Sequence, residues 1–219
     1  MATESLTQTA SDRVYTSLRS MVMTGELLPG DRLVRRHLAK LLGVSPIPIL
    51  EAIRRLEHDG LVQSLSNCGA QVKQWTPEDI EGAYLAREAL EGMAARLFVE
   101  RATEVDKGRL RELCKQIEDA ISEGDLAACL EADVNLHRHI VHCTGSSTLC
   151  RLVESSCILT TSIRNSRNRK DGTFASKMSR PKHHDKLVKA LLGGDPDRAE
   201  EEARAHIRFG KERFFKNCK

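Results

Sequence analysis

Residues 30–62, GDRLVRRHLAKLLGVSPIPILEAIRRLEHDGLV, read as two short helices joined by a tight Gly43-Val44-Ser45 turn. Leu38, Leu41 and Leu42 fall at i, i+3, i+4 spacing in the first helix. Ile49, Ala52, Ile53 and Leu56 repeat the pattern in the second, so each helix has one stripe to bury and the two stripes are expected to share a core. Gly43 supplies the backbone conformation that ends a helix, Ser45 is placed to cap the next, and Pro46 sits at the first helical position, where its missing N–H is tolerated. Arg54 and Arg55 then point away from that core. A second helix packed on the first, with its other face free for the major groove, is the helix-turn-helix by which proteins read duplex DNA.

Upstream, Val14, Leu18, Met21 and Val22 outline an amphipathic helix, followed by GELLPGDRL (25–33), a turn rich in Gly and Pro. Downstream, LVQSLSN (61–67) and AQVKQW (70–75) are strand-like runs around Cys68-Gly69, a hairpin wing. With both flanks, Ser11 to about Gln74 resembles the winged helix of the GntR family of bacterial transcription regulators. The matching positions are Gly25, Pro29-Gly30-Asp31, Leu33, Leu38-Ala39, Gly43-Val44-Ser45, Pro48, Glu51-Ala52, Arg54-Arg55-Leu56, Gly60-Leu61-Val62, Asn67 and Gly69. The resemblance implies a double-stranded operator, with Ser45, Pro46, Arg54, Arg55 and the wing glycine Gly69 among the expected contacts; Arg35, where the family often has an acidic residue, and Arg36 are expected to join Arg54 and Arg55 in compensating for missing family arginines. Three positions depart from the family: Pro46, Leu50 and Cys68 stand where members usually carry a basic residue. Arginine is the commonest side chain for reading guanine edges and gripping phosphate, so the departures predict salt-sensitive binding to an atypical operator.

A chain of 219 residues holds one large or two ordinary domains, and two is the better reading. Net charge is +3, so a DNA contact must be local rather than a broadly basic coat. Residues 1–75 carry nine basic and seven acidic side chains, which makes the reading head only mildly basic. The seven cysteines are an odd number with no C-x-x-C pair, against a disulfide framework. No apolar run approaches a membrane span and the polar N-terminus lacks a signal peptide's apolar core, so a cytoplasmic protein with no membrane partner is expected. Cys143, Cys150 and Cys157 recur every seven residues, which fits either a redox sensor or buried helix positions.

From Thr76 onward the pattern is helix after helix. Thr76 with Pro77, Glu78 and Asp79 is a start signal for a helix to about Arg101. Asp106–Ser122, Asp125–Cys143, Ser147 to about Asn165, Ser179–Leu192 and Asp195–Asn217 follow. The predicted fold is mainly α, an N-terminal winged helix-turn-helix followed by an all-α antiparallel helical bundle. Its expected boundaries are a disordered N-terminus over 1–10, a DNA-binding domain over 11–74 and a helical metal- and effector-binding and dimerisation domain over 75–219.

Within the helical half, Asp133 and His137 lie four apart and project from one helix face, His184 opens the apolar pattern of the fifth helix and His206 lies midway along the sixth. Three helices can thus deliver four ligands to one point, and Asp with neutral imidazole suits zinc, and also nickel or manganese. Taken alone, helical histidines are more often surface or satisfied core residues. Residues 77–219, however, resemble the FCD effector domain of the FadR-like branch of the family. The resemblance runs through Arg87 with Leu90-Glu91, Asp133 with Leu136-His137, His184 with Leu187-Val188 and Ala190-Leu191, then Asp197, Ala199 and His206-Ile207. It implies that Asp133, His137, His184 and His206 hold a divalent metal ion. His139 and His142 are rotated off that face, and His183 is a decoy or a supporting group beside His184.

Four protein ligands on an octahedral ion leave two positions for water or a carboxylate effector. Arg87 is a candidate clamp for that acid, its alternative being an ion pair with Glu91 four residues on. The run Arg164–Lys182, seven basic residues against Asp171, reads as a solvated loop or an anion-attracting rim. A zinc hydrolase shares such ligands, but no H-E-x-x-H, G-x-S-x-G or Walker sequence occurs, and a reading as a non-enzyme follows. A purely structural metal remains an alternative. The sequence therefore reads as a homodimeric regulator, by default a repressor, whose operator affinity responds to a small organic acid bound at the metal.

Overall fold

The computed structural model describes residues 9–65, 69–171 and 182–216. These residues form two compact units, Met1–Thr76 with Thr161–Lys170, and Pro77–Thr160 with Asp171–Lys219. The chain divides after Thr76, and the second unit is not continuous in sequence. The end of its fourth helix groups with the first unit, where the buried Ser162 hydroxyl donates to the Val22 carbonyl at 3.1 Å.

In the first unit, α1 (Ala10–Thr24) begins inside the segment read as disordered over 1–10. The Thr9 side chain accepts from the Asp12 N–H and the Asp12 carboxylate accepts from the Thr9 N–H, a reciprocal capping box that fixes the start. Residues 1–8 of that expectation lie outside the described residues. The stretch 25–33, read as a turn throughout, contains a short strand β1 (Arg32–Leu33). It pairs antiparallel with β3 (Gly69–Val72), which also pairs with β2 (Val62–Leu65), giving a sheet in the order β1-β3-β2. The predicted two-stranded wing is therefore a three-stranded sheet, with Leu33, Val62, Ala70 and Val72 buried.

Between them lie α2 (Arg35–Leu42) and α3 (Pro46–His58). Gly43 ends α2 with φ of 64°, a left-handed conformation that glycine adopts without a Cβ penalty. Ser45 occupies the cap position of α3 in extended conformation, but its hydroxyl makes no capping hydrogen bond, so the cap role expected of it fails; Pro46 opens the helix as expected. Ile49, Ala52, Ile53 and Leu56 are buried as the stripe requires. Leu41 is not: it is 56% exposed while Ala39 is buried. The eight-residue α2 packs on α3 and buries the arc from Leu38 toward Ala39, rotated away from Leu41.

The second unit is wholly helical among the described residues: α4 (Pro77–Arg101), α5 (Glu104–Glu123), α6 (Leu126–His142), α7 (Ser147–Asp171), α8 (Lys182–Leu192) and α9 (Pro196–Lys216). Every predicted helix is found with its start or end moved by a few residues; residues 172–181, including part of the basic run and the predicted start of α8, lie outside the described residues. The core draws on α4, α5, α6, α7, α8 and α9, with Phe98, Leu110, Leu113, Leu136 and Leu191 fully buried. Fully burying one such side chain contributes about 1.5–3 kcal/mol, so these positions fix how α4, α6, α8 and α9 face one another, and with them the polar groups described next.

Candidate metal centre and nucleic-acid interface

The one-turn spacing of Asp133 and His137 on α6 places both on the face that meets α4, α8 and α9. His184, near the start of α8, brings its Nε2 to 3.0 Å from Asp133 Oδ1, and His137 Nε2 lies 3.8 Å from the same oxygen. The His206 ring on α9 is 5.1 Å from that of His137 and 4.7 Å from that of His184, between ring centres. The ligand atoms of the three histidines all lie within 4.8 Å of one another. The three expected histidine ligands are thus brought together by three helices of a single unit, and Asp133 adjoins two of them, His184 and His137. One carboxylate and three imidazoles at these separations fit a borderline divalent ion.

Glu91, on α4, is the residue the sequence reading passed over as a ligand support. Its carboxylate sits 2.6 Å from His137 Nδ1 and accepts from Arg87 Nε at 2.6 Å, with both side chains nearly out of solvent. Burial pushes the Glu91 pKa up, but the charges of Arg87 and His137 outweigh it and hold the carboxyl well below the usual carboxylate range. Burial likewise works against a charged His137, and the Glu91 carboxylate overrides it, raising the imidazole above its ordinary value. With Nδ1–H given to Glu91, His137 presents Nε2 toward Asp133, His184 and His206, the tautomer a ligand at that point needs. The signal was present in the sequence: Glu91 is four residues from Arg87 on one helix face, but nothing local announces its long-range partner.

Arg87 is found in the ion-paired arrangement with Glu91, and its Nη1 also donates to Thr160 Oγ1 at 3.0 Å. Two of its five N–H donors are thereby used. Cys157 closes the same corner, its Sγ 3.7 Å from Glu91 Oε1. Burial raises the Cys157 thiol to about 12, and burial with the nearby Asp106 raises Cys143 to about 12, the opposite of the low-pKa thiol a redox sensor requires. Both side chains are half-buried on their helices. His142 is exposed, whereas His139 is half-buried against α5, and the side chain of His183 lies outside the described residues.

In the first unit, Arg35, Arg36, Pro46 and Arg54 are exposed at the ends and outer faces of α2 and α3, as contacts to DNA must be; Ser45 and Gly69 are exposed too. Arg55 is differently placed. Its Nη1 donates to Asp12 Oδ1 at 2.7 Å and its guanidinium lies over the Tyr15 ring at 4.0 Å, so it ties α3 to α1. Tyr15 in turn donates to Asp59 at 2.6 Å, and burial followed by that carboxylate raises its hydroxyl to about 12. Ile47, absent from the expected contacts, is 68% exposed on the first turn of α3, beside Pro46. Its signal was an isoleucine outside the buried stripe. Cys68 lies outside the described residues.

Residues 10–72 match the family described as bacterial regulatory proteins, gntR family, and residues 82–209 match the FCD domain. The chain is 36% identical over 110 residues to the uncharacterized HTH-type transcriptional regulator YdhC of Bacillus subtilis, a match covering 50% of this chain and 49% of that protein. The chain thus spans about half the length of that relative. A second relative, the probable D-xylose utilization operon transcriptional repressor of Paenarthrobacter nicotinovorans, is 28% identical over 204 residues, 91% of this chain and 86% of its own. Among solved structures, McbR/YncC of E. coli superposes with a TM-score of 0.84 over 96% of this chain and 99% of that one at 21% identity, a likeness of fold.

Proposed function

The chain belongs to the GntR family of bacterial regulatory proteins and carries an FCD domain, and on that footing we propose that this DNA-binding transcription regulator is a repressor tuned by a small organic acid held at a divalent metal ion. The observation that carries the reading is the convergence of Asp133, His137, His184 and His206, with Glu91 fixing the tautomer of His137 from behind. Zinc, nickel or manganese suits this set. When bound, such an ion supplies an electrophilic centre with coordination positions left over for a carboxylate. The remaining donors of Arg87 are the proposed contact for the acid's second polar group, held in place by Glu91 and Thr160. No step of bond making is assigned to the site.

On the DNA side, the proposed contacts are Arg35, Arg36 and Arg54 to phosphates and base edges, with Ser45, Pro46 and Gly69 close to the backbone. Ile47 joins them, since an exposed aliphatic side chain at the start of a recognition helix meets the thymine methyl in the major groove. Arg55 acts through α1, fixing the angle at which α3 is presented. A homodimer would place two such heads on the halves of a near-palindromic operator. Repression is supported by the name of the Paenarthrobacter relative.

The test is elemental analysis and native mass spectrometry of the protein purified without chelators. The expected result is a divalent ion lost from His184→Ala, with a carboxylate of low mass accompanying it. A metal-free chain that takes up no zinc, nickel or manganese on dialysis contradicts the reading.

A further inference from the structure

A second group of ligand-type atoms lies elsewhere in the helical unit: Asp106 on the first turn of α5, and His139 with Cys143 at the end of α6. His139 and Cys143 are four residues apart, one helical turn, so both project toward α5. The donor atoms of all three residues lie within 4.8 Å of one another, and none is fully buried. From this juxtaposition we propose a second metal site, Asp106–His139–Cys143, selective for a thiophilic divalent ion of the zinc class and separate from the Asp133 centre.

Three features favour coordination over a chance cluster. First, His139 Nε2 lies 2.9 Å from the Asp106 main-chain carbonyl. An N–H donated there leaves Nδ1 bare, and a backbone carbonyl on the far nitrogen is the usual support of a metal-bound imidazole. The ring is held edge-to-face on Phe98 at 6.2 Å, which fixes its plane. Second, Cys143 Sγ lies 3.9 Å from His139 Nδ1 and 3.7 Å from Nε2. Tetrahedral zinc, with Zn–S about 2.3 Å and Zn–N about 2.0–2.1 Å, places sulfur and nitrogen roughly 3.6 Å apart, so a shift of a few tenths of an ångström suffices. Third, Asp106 Oδ2 is occupied by the Thr103 N–H and hydroxyl, at 2.9 and 2.6 Å, which locks the carboxylate and turns Oδ1 free of the cap.

The set supplies one sulfur, one nitrogen and one oxygen and leaves a fourth tetrahedral position for water. Coordination replaces the thiol proton of Cys143, which leaves to solvent; the metal deprotonates a coordinating thiol outright. The site would pin the end of α6 to the start of α5, alongside the Arg101 Nη1 bond to the Thr144 carbonyl at 2.6 Å. Its sulfur also gives it a signature that the Asp133 centre, which has only nitrogen and oxygen donors, lacks.

The experiment is a titration of the reduced, metal-free full chain with Co(II). A thiolate-to-cobalt charge-transfer band in the near ultraviolet is expected, present in His184→Ala and Cys157→Ser, absent from Cys143→Ser, and quenched by Zn(II). No band in the wild-type chain, or a band that survives Cys143→Ser, overturns the proposal. A measurement without substitution runs in parallel: Zn(II) is expected to slow alkylation of Cys143 at least tenfold, located by peptide mass spectrometry. Alkylation of Cys143 at one rate with and without zinc also overturns it. Loss of metal at the Asp133 centre alone leaves the band intact, so the two sites fail separately.

Discussion

Replacing Glu91 by Gln keeps the shape of the side chain and removes the charge that joins Arg87 to His137. Arg87 and Glu91 are only 13% and 6% exposed, so little solvent screening offsets the loss. Removing one partner of a buried pair costs about 3–5 kcal/mol, and because Gln retains one acceptor the lower end, about 3 kcal/mol, is expected. For a chain of this size that is a fall in Tm of roughly 6–12 °C. Urea unfolding followed by circular dichroism, on metal-free protein, reads the change directly. Metal affinity, read by competition with a chromophoric chelator, should weaken about 10- to 100-fold, since His137 loses the partner that fixes its tautomer. The double variant Arg87→Leu with Glu91→Gln separates the two effects. Stability should recover in part, because no unpaired guanidinium remains buried, while metal affinity stays low. A single variant within about 1 kcal/mol of wild type, with unchanged metal affinity, would refute the role given to Glu91.

Substitution of His184 by Ala should abolish metal retention while His183→Ala leaves it intact, measured by elemental analysis; the reverse would overturn the register of α8. Arg54→Ala should weaken operator binding and lower the slope of log affinity against log salt by about 1 with no change in Tm. Arg55→Ala should instead destabilise the chain by roughly 1 kcal/mol, mostly through the lost stacking on Tyr15, because its ion pair with Asp12 is solvent-screened. Asp12 and Asp106 each have pKa values lowered first by their Thr9 and Thr103 partners. A depressed folded pKa stabilises above the unfolded value of about 3.9 and is lost as pH falls through the folded one, so melting followed between pH 6 and 2.5 should show a drop that Asp12→Asn reduces. An equal drop in that variant would exclude the capping carboxylate as its source.

The helices were legible because their apolar residues keep the 3.6-residue period and their ends carry Gly43, Pro46 and Pro77. The four proposed ligands were legible as a set through the Asp133–His137 spacing and the family pattern. Other features depend on what lies opposite in space. Leu41 kept the period yet faces solvent, because α2 buries the side on which α3 lies. Arg32–Leu33 became a strand only because Gln71 and Ala70, on the far side of α2, α3 and β2 in the chain, offered an edge. Arg55 looked like Arg54 in sequence, but its guanidinium found Asp12 and Tyr15, 43 residues earlier for the carboxylate. Glu91 and His139 each have one partner a helical turn away, Arg87 and Cys143, but the contacts that single them out, His137 for Glu91 and the Asp106 carbonyl for His139, come from other helices, and no spacing within a helix encodes those.

Metal, acid and operator are proposed to be coupled in one molecule. Operator affinity of the metal-loaded chain should be measured by fluorescence anisotropy at fixed salt, with and without acetate, malonate, malate or citrate. The expected result is a 5- to 150-fold change with at least one of these acids, equivalent to a coupling of about 1–3 kcal/mol, and no change with the same acid in His184→Ala. Operator binding that is indifferent to every acid in the metal-loaded protein, or that responds equally in His184→Ala, would contradict it.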